Sequence, residues 1–313
     1  MATVTWTGSG ANNLASTILN WDTGTAPTTG DAVVLDGAFP VTGNKNCTWD
    51  ITATILSINS TGYSGVITAS ATMTLSLGIT FAANTFAHGN QEVILNGSSN
   101  RSISTGSTNP FYKLTFSESS ATINTLSTDV YVSNQLDLNS TFANITYNSN
   151  KFYVSGSLTQ SNTSGGTPDG TTVVELSETG TWSQAYSSDQ GYRFEMDVII
   201  NTAGTITISG TIIFAGNFTY TAGTVVTTSS TFQKTKSTNF NSGAISWNNL
   251  TLASTFNIAS ATTTLTGNLT VGGTLTINSS QTLSAGNKTI TLSGNFTNNG
   301  TFTRATSTVI FNG

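Results

Sequence analysis

The chain has 313 residues, enough to enclose a large core, yet only 7% of them are charged and the formal net charge is −5. Its nine basic residues are scattered, which disfavours a nucleic-acid partner, because displacing phosphate counterions takes clustered Lys and Arg. The single cysteine, Cys47, excludes an intrachain disulfide, and no apolar run approaches the roughly 18 residues of a membrane-spanning helix, so neither cross-links nor membrane insertion are expected.

The hydrophobic share, 36%, lies below the usual level of about 45–50%, and Thr, Ser, Asn and 30 Gly fill the gap. Disorder would show as high net charge with few aromatic and β-branched residues. Here 16 Phe, 8 Tyr, 5 Trp and abundant Ile, Val and Thr point to a nearly all-β chain, since such residues suit a pleated, half-buried surface.

Taken in chain order, residues 1–50 stand apart. The opening MATVTWTGSGANN lacks the basic and apolar regions of a secretory signal. It leads into Trp6-Thr-Gly, Asn20-Trp21-Asp22 and Pro27-Thr-Thr-Gly30-Asp31-Ala-Val33-Val34-Leu35. From residue 51 to 313 the text repeats itself. VSGSLT (154–159), FAGNFT (214–219), LTGNLT (265–270) and LSGNFT (292–297) start 60, 51 and 27 residues apart, near multiples of a unit of roughly 25–30 residues. Larger blocks open on EVILNG (92–97), TVVELS (172–177) and TVVTTS (224–229), and TVIFNG (308–313) begins a further copy.

Inside each unit apolar residues alternate with Thr, Ser or Asn, as in Thr274, Leu275, Thr276, Ile277, which is the strand period. Gly-Asn, Gly-Gly and Asn-Gly dipeptides between the runs are expected to turn the chain through positive φ. Two architectures suit many short strands: a parallel β-solenoid with one coil per unit, and tandem antiparallel β-sandwiches of about 100 residues each. The recurrence near 27 residues favours the solenoid. So does the low apolar content, because one residue in two suffices when only the inner face is buried.

The Trp, Asn-Trp and Pro-x-x-Gly-Asp-x-Val pattern of residues 1–50 resembles the opening coils of bacterial surface β-helix proteins and related phage virion proteins, and the FYKLTF and LSGNFT blocks are similar to repeats in those families. The resemblance implies a right-handed parallel β-helix used as spacer, adhesin or particle-surface component, and it carries over no catalytic residue. Residues 1–50 would then be a capping region, with Trp6 and Trp21 closing the first coil.

Chemistry is sparse. His88, in TFAHGN, has no second His or Cys nearby and reads as a turn residue; Cys47 reads as a buried small hydrophobe. No motif for a nucleotide, a metal or a covalent nucleophile is present, and no cofactor is expected. An aromatic and charged insertion near 178–197, TGTWSQAYSSDQGYRFEMD within it, is the best site candidate. Trp182, Tyr186 and Tyr192 offer rings on which a glycan or protein ligand could stack, beside Arg193. Alternation sets Arg193, Glu195 and Asp197 on one face and Phe194, Met196 and Val198 on the other. Glu195 and Asp197 are spaced like a glycosidase pair, but outward charges over inward apolars describe any solvated strand. Thr-x-Thr pairs such as Thr262/Thr264/Thr266 and Thr289/Thr291 raise the thought of an ice-binding face, yet their spacing along the chain is irregular and strand alternation accounts for them.

The expectation is a non-enzymatic structural protein of a particle or cell surface. A phage fibre, spike or capsid decoration comes first, because an extracellular-looking exterior is joined to an opening without a signal. A bacterial adhesin fragment is the alternative, and a polysaccharide lyase or hydrolase is further off. The expected localisation is the virion surface or the extracellular space. Expected partners are other structural subunits, including copies of the same chain, and a surface glycan or protein receptor.

Overall fold

The computed structural model describes the chain except for residues 38–44, 107–109, 119–121, 140–142, 148–149, 162–171, 186–193 and 255–258, and side chains are also left out at 122–123 and 143–147. Among the described residues one 3-10 turn, Ile18–Asn20, interrupts an otherwise all-β chain. Strands pair in parallel with their counterparts one turn further along the chain, so the sandwich alternative is set aside and the stacked strands make a β-solenoid, about 11 turns over the chain. Two compact units divide it, Met1–Tyr153 and Val154–Gly313.

In the first unit the alternation of the sequence becomes columns of core residues. Val4, Val33, Ile58, Ile79, Ile103 and Leu126 are register partners in succession, and each is at most 1% exposed. Ile55, Leu75, Leu95, Phe116 and Leu138 form a second column. A smaller sheet of Cys47–Trp49, Ile67–Ala69 and Phe86–Ala87 closes another side, which buries Cys47 as the sequence suggested. Each turn adds a few apolar side chains to a core already started, and each such burial contributes roughly 1.5–3 kcal/mol.

The N-terminal edge of this unit is covered. Strand Thr3–Thr5 pairs with Ala32–Val34 on one side only, and residues 20–22 return antiparallel along the other. The Thr5 amide donates to Asp22 Oδ1 (2.8 Å), the Asp22 amide donates to the Thr5 carbonyl (3.0 Å), and the Thr7 amide donates to the Asn20 carbonyl (2.7 Å). Trp6 and Trp21 meet edge to face at 5.2 Å, and Trp21 Nε1 donates to the Ala15 carbonyl. An edge that would otherwise template another strand is thereby satisfied within the chain.

The second unit has three sheets. Val174, Val198, Phe218, Phe240 and Leu265 stack in one, Ile212, Phe232, Leu250, Leu275 and Phe296 in another, and Trp247, Val271, Leu292 and Phe311 in the third. Seven rings, from Trp182, Phe194, Phe214, Phe218, Phe232, Phe240 and Trp247, fill the centre in a continuous cluster.

Gly-Asn corners are of two kinds: Gly89 and Gly286 take the positive φ expected (52° and 60°), and the Gly-Asn of the FAGNFT, LTGNLT and LSGNFT motifs does not. Gly216, Gly267 and Gly294 are not among the positive-φ residues. Glycine is required there by proximity: a Cβ on Gly216 would lie 2.1 Å from the Met196 carbonyl oxygen, and one on Gly294 would lie 2.1 Å from that of Gly273. The asparagine that follows braces the next turn, as Asn217 Oδ1 accepts from the Asn239 amide and Asn268 Oδ1 from the Thr289 amide, both at 3.0 Å.

Candidate functional site

Among the described residues the densest group of charges in the second unit lies where three turns meet, at residues 194–197, 214–217 and 234–238. Phe194 bridges to Phe214, and Thr231–Lys234 pairs in parallel with Thr211–Phe214, which sets Lys234 against Phe214. Glu195 and Asp197 belong to this group. Phe194, Met196 and Val198 are fully buried, as the alternation implied. Glu195 is nearly buried too, because its carboxylate turns back to meet the Lys236 ammonium at 3.1 Å. Asp197 Oδ1 accepts from the Asn217 amide (2.7 Å), and the Asn217 side-chain nitrogen donates to both carboxylate oxygens (3.0 and 2.9 Å). Asp197 thus joins successive turns, and Glu195 reaches across the intervening one to Lys236.

Sequence reasoning passed over Lys234, which is 1% exposed. Its Nζ donates to the Gly216 carbonyl at 2.6 Å and to the Thr238 hydroxyl, and lies 4.6 Å from the centre of the Phe214 ring. Loss of hydration pushes its pKa down to about 7; Asp197 opposes this and Lys236 adds to it. The signal was present, since in Thr231-Phe232-Gln233-Lys234 the strand period puts Lys234 on the face of buried Phe232.

Trp182 needs correcting. Its segment Gly180–Gln184 is a regular strand of the solenoid, in register with Leu158 on one side and Ile208 on the other. The indole is fully buried within 5.5–6.4 Å of Phe194, Phe214, Phe218 and Phe232, so no ring face is open to a ligand. Tyr186, Tyr192 and Arg193, the other members of the expected aromatic insertion, lie outside the described residues.

In the first unit, His88 sits at a turn where its Nδ1 accepts from the Asn90 amide (2.8 Å), and partial burial lowers its pKa. The Cys47 thiol is raised well above its ordinary value, by burial first and then by Asp50, which leaves it protonated and inert. A fully buried charge pair is Arg101 with Glu118, 3.6 Å apart and both inaccessible; Arg101 also donates to the Gly97 carbonyl at 2.9 Å. Arg101 precedes inward-facing Ile103 by two residues, so alternation again foretells its burial. Arg101 lines an open groove of about 610 Å³ together with Asn59, Thr80 and Ser102 and apolar Ile58, Leu77 and Ile79. Among the described residues no group of three or more His, Cys, Asp or Glu is placed to hold a metal ion, and no helix is long and apolar enough to cross a membrane.

Comparison with protein-family models, with curated proteins and with solved structures finds no match.

Proposed function

We propose that the protein is a non-enzymatic structural component of a particle or cell surface, a phage fibre, spike or capsid decoration in the first instance. The observation that carries this reading is the stacking of buried columns within each unit beneath an exterior of hydroxyls and amides. Backbone ladders and interlocked side chains give each unit stiffness, and the neutral polar exterior supports many weak contacts. The most suggestive acids of the sequence, Glu195 and Asp197, spend their charge on Lys236 and Asn217, as structural ties do.

Antibody labelling of native particles under the electron microscope tests the assignment: decoration of virions supports it, while label confined to bacterial cell walls transfers the protein to the adhesin class. Release of reducing ends or unsaturated products from any polysaccharide by the full chain, abolished in Glu195→Gln or Asp197→Asn, would remove the non-enzymatic reading altogether.

A further inference from the structure

Threonine pairs that look irregular along the chain come together in the fold. Strands Ala261–Leu265, Gln281–Ser284 and Thr301–Thr303 are consecutive in one sheet of the second unit. Thr262 is the register partner of Thr282, and Thr282 of Thr301; Thr264 is the partner of Ser284, and Ser284 of Thr303. Asn239 extends the second row by one strand. Thr263 and Leu283 between the rows are buried, so the six hydroxyl residues all face the other way: Thr264, Thr301 and Thr303 are exposed, and Thr262, Thr282 and Ser284 are half-buried.

The result is a lattice of hydroxyls in two dimensions, with steps of about 4.8 Å between strands and about 6.6 Å along them. None of the three strands contains a charged residue. None of the six hydroxyls makes a hydrogen bond to another described group of the protein, although hydroxyls elsewhere, such as those of Thr227 and Ser230, are so engaged. Threonine supplies a short side chain stiff at χ1, whose methyl and hydroxyl are ordered before anything binds, so that little entropy is lost on contact.

A face of this kind fits a partner that is itself a lattice of hydrogen-bonding oxygens, met by many weak contacts at once. We propose that the face formed by Thr262, Thr264, Thr282, Ser284, Thr301 and Thr303 docks on the surface of ice. Crystalline polysaccharide is the other ordered lattice of oxygens, but binding it calls for flat aromatic rings to cover the sugars, and these six positions hold none. The inference stands apart from the structural reading above and survives its failure.

The test uses the full chain in slowly grown ice, with partition into the solid measured and crystal habit followed by microscopy. Thr282→Tyr disrupts the centre of the lattice, Thr303→Tyr its margin, and Thr276→Tyr places the same ring on a different sheet; melting curves check that each folds. Enrichment in ice and faceted crystals for the wild type and Thr276→Tyr, with loss of both in Thr282→Tyr or Thr303→Tyr, is the expected result. Wild-type exclusion from ice equal to that of an inert protein, full activity in both lattice variants, or retention on microcrystalline cellulose in place of ice would overturn it.

Discussion

Lys234 and Phe214 are register partners on adjacent turns, and the lysine nitrogen lies 4.6 Å from the centre of the phenyl ring. Leu252 follows Lys234 in the same column and Ile277 follows Leu252, so a cation occupies a site built for a hydrocarbon. The Gly216 carbonyl, the Thr238 hydroxyl and the ring are what replace its water.

Stability should therefore depend on the charge of Lys234. Its folded pKa is about 7 against an ordinary 10.5, so between those values the unfolded chain binds the extra proton and stability rises with pH. Below pH 7 both states carry the charge and the full penalty persists. Over the whole window the effect is on the order of 3–5 kcal/mol. Cys47, held neutral in the fold, opposes the trend above its ordinary value of 9.0, and His88, lowered from 6.5, adds a rise of its own around that value, so the slope between pH 7.5 and 8.5 in urea titrations is the clean comparison. Lys234→Met should flatten the rise and be the more stable protein at pH 6.5; an unchanged slope would show that another group carries it.

Phe232 contacts Trp182, Phe214, Phe218, Phe240 and Trp247, with centroids 4.5–5.8 Å away. Phe232→Ala should cost about 3–5 kcal/mol, while Phe232→Leu should cost less than about 1.5 kcal/mol. Equal losses in denaturant titrations would mean that the cluster is not packed as described.

Removal of Asp22 should expose the first strand. Asp22→Ala deprives the Thr5 amide of its acceptor at a cost of about 1–2 kcal/mol, and it should raise concentration-dependent association, since an open edge pairs with other chains. Sedimentation velocity over a range of concentrations measures this, and a variant that stays as monodisperse as the parent would deny the edge-covering role of residues 20–22.

Lys236 and Glu195 differ in exposure, 47% against 6% for their side chains. Lys236→Met removes one partner of a buried carboxylate, whereas Glu195→Gln leaves a solvated amine. The first should destabilise by about 1 kcal/mol and the second by less, with the gap narrowing in high salt. A larger loss in Glu195→Gln would assign the carboxylate a partner more important than Lys236.

All five tryptophans are at most 3% exposed. Acrylamide should quench their fluorescence weakly, and neither glycans nor receptor fragments should shift it through Trp182; strong quenching in the folded protein would reopen the aromatic platform expected from the sequence.

Alternation by two was legible in the chain and decided much: Phe194, Met196 and Val198 inward, Leu275 and Ile277 inward, and strands throughout. It held equally for Trp182, Lys234 and Arg101, which the same period sends to the core although their chemistry suggests a surface. What alternation cannot supply is the partner of each residue. Turns differ in length, so whether Thr282 faces Thr262, or Lys234 faces Phe214, depends on how much chain each corner absorbs. The Gly-Asn pairs at Gly216 and Gly294 show the same division, since the sequence marks a corner, while the need for glycine comes from a carbonyl on the previous turn 2.1 Å from the missing Cβ. Inside and outside are set by the local period of a strand. Neighbours are set by the stacking of turns distant in sequence, and only the folded chain fixes that register.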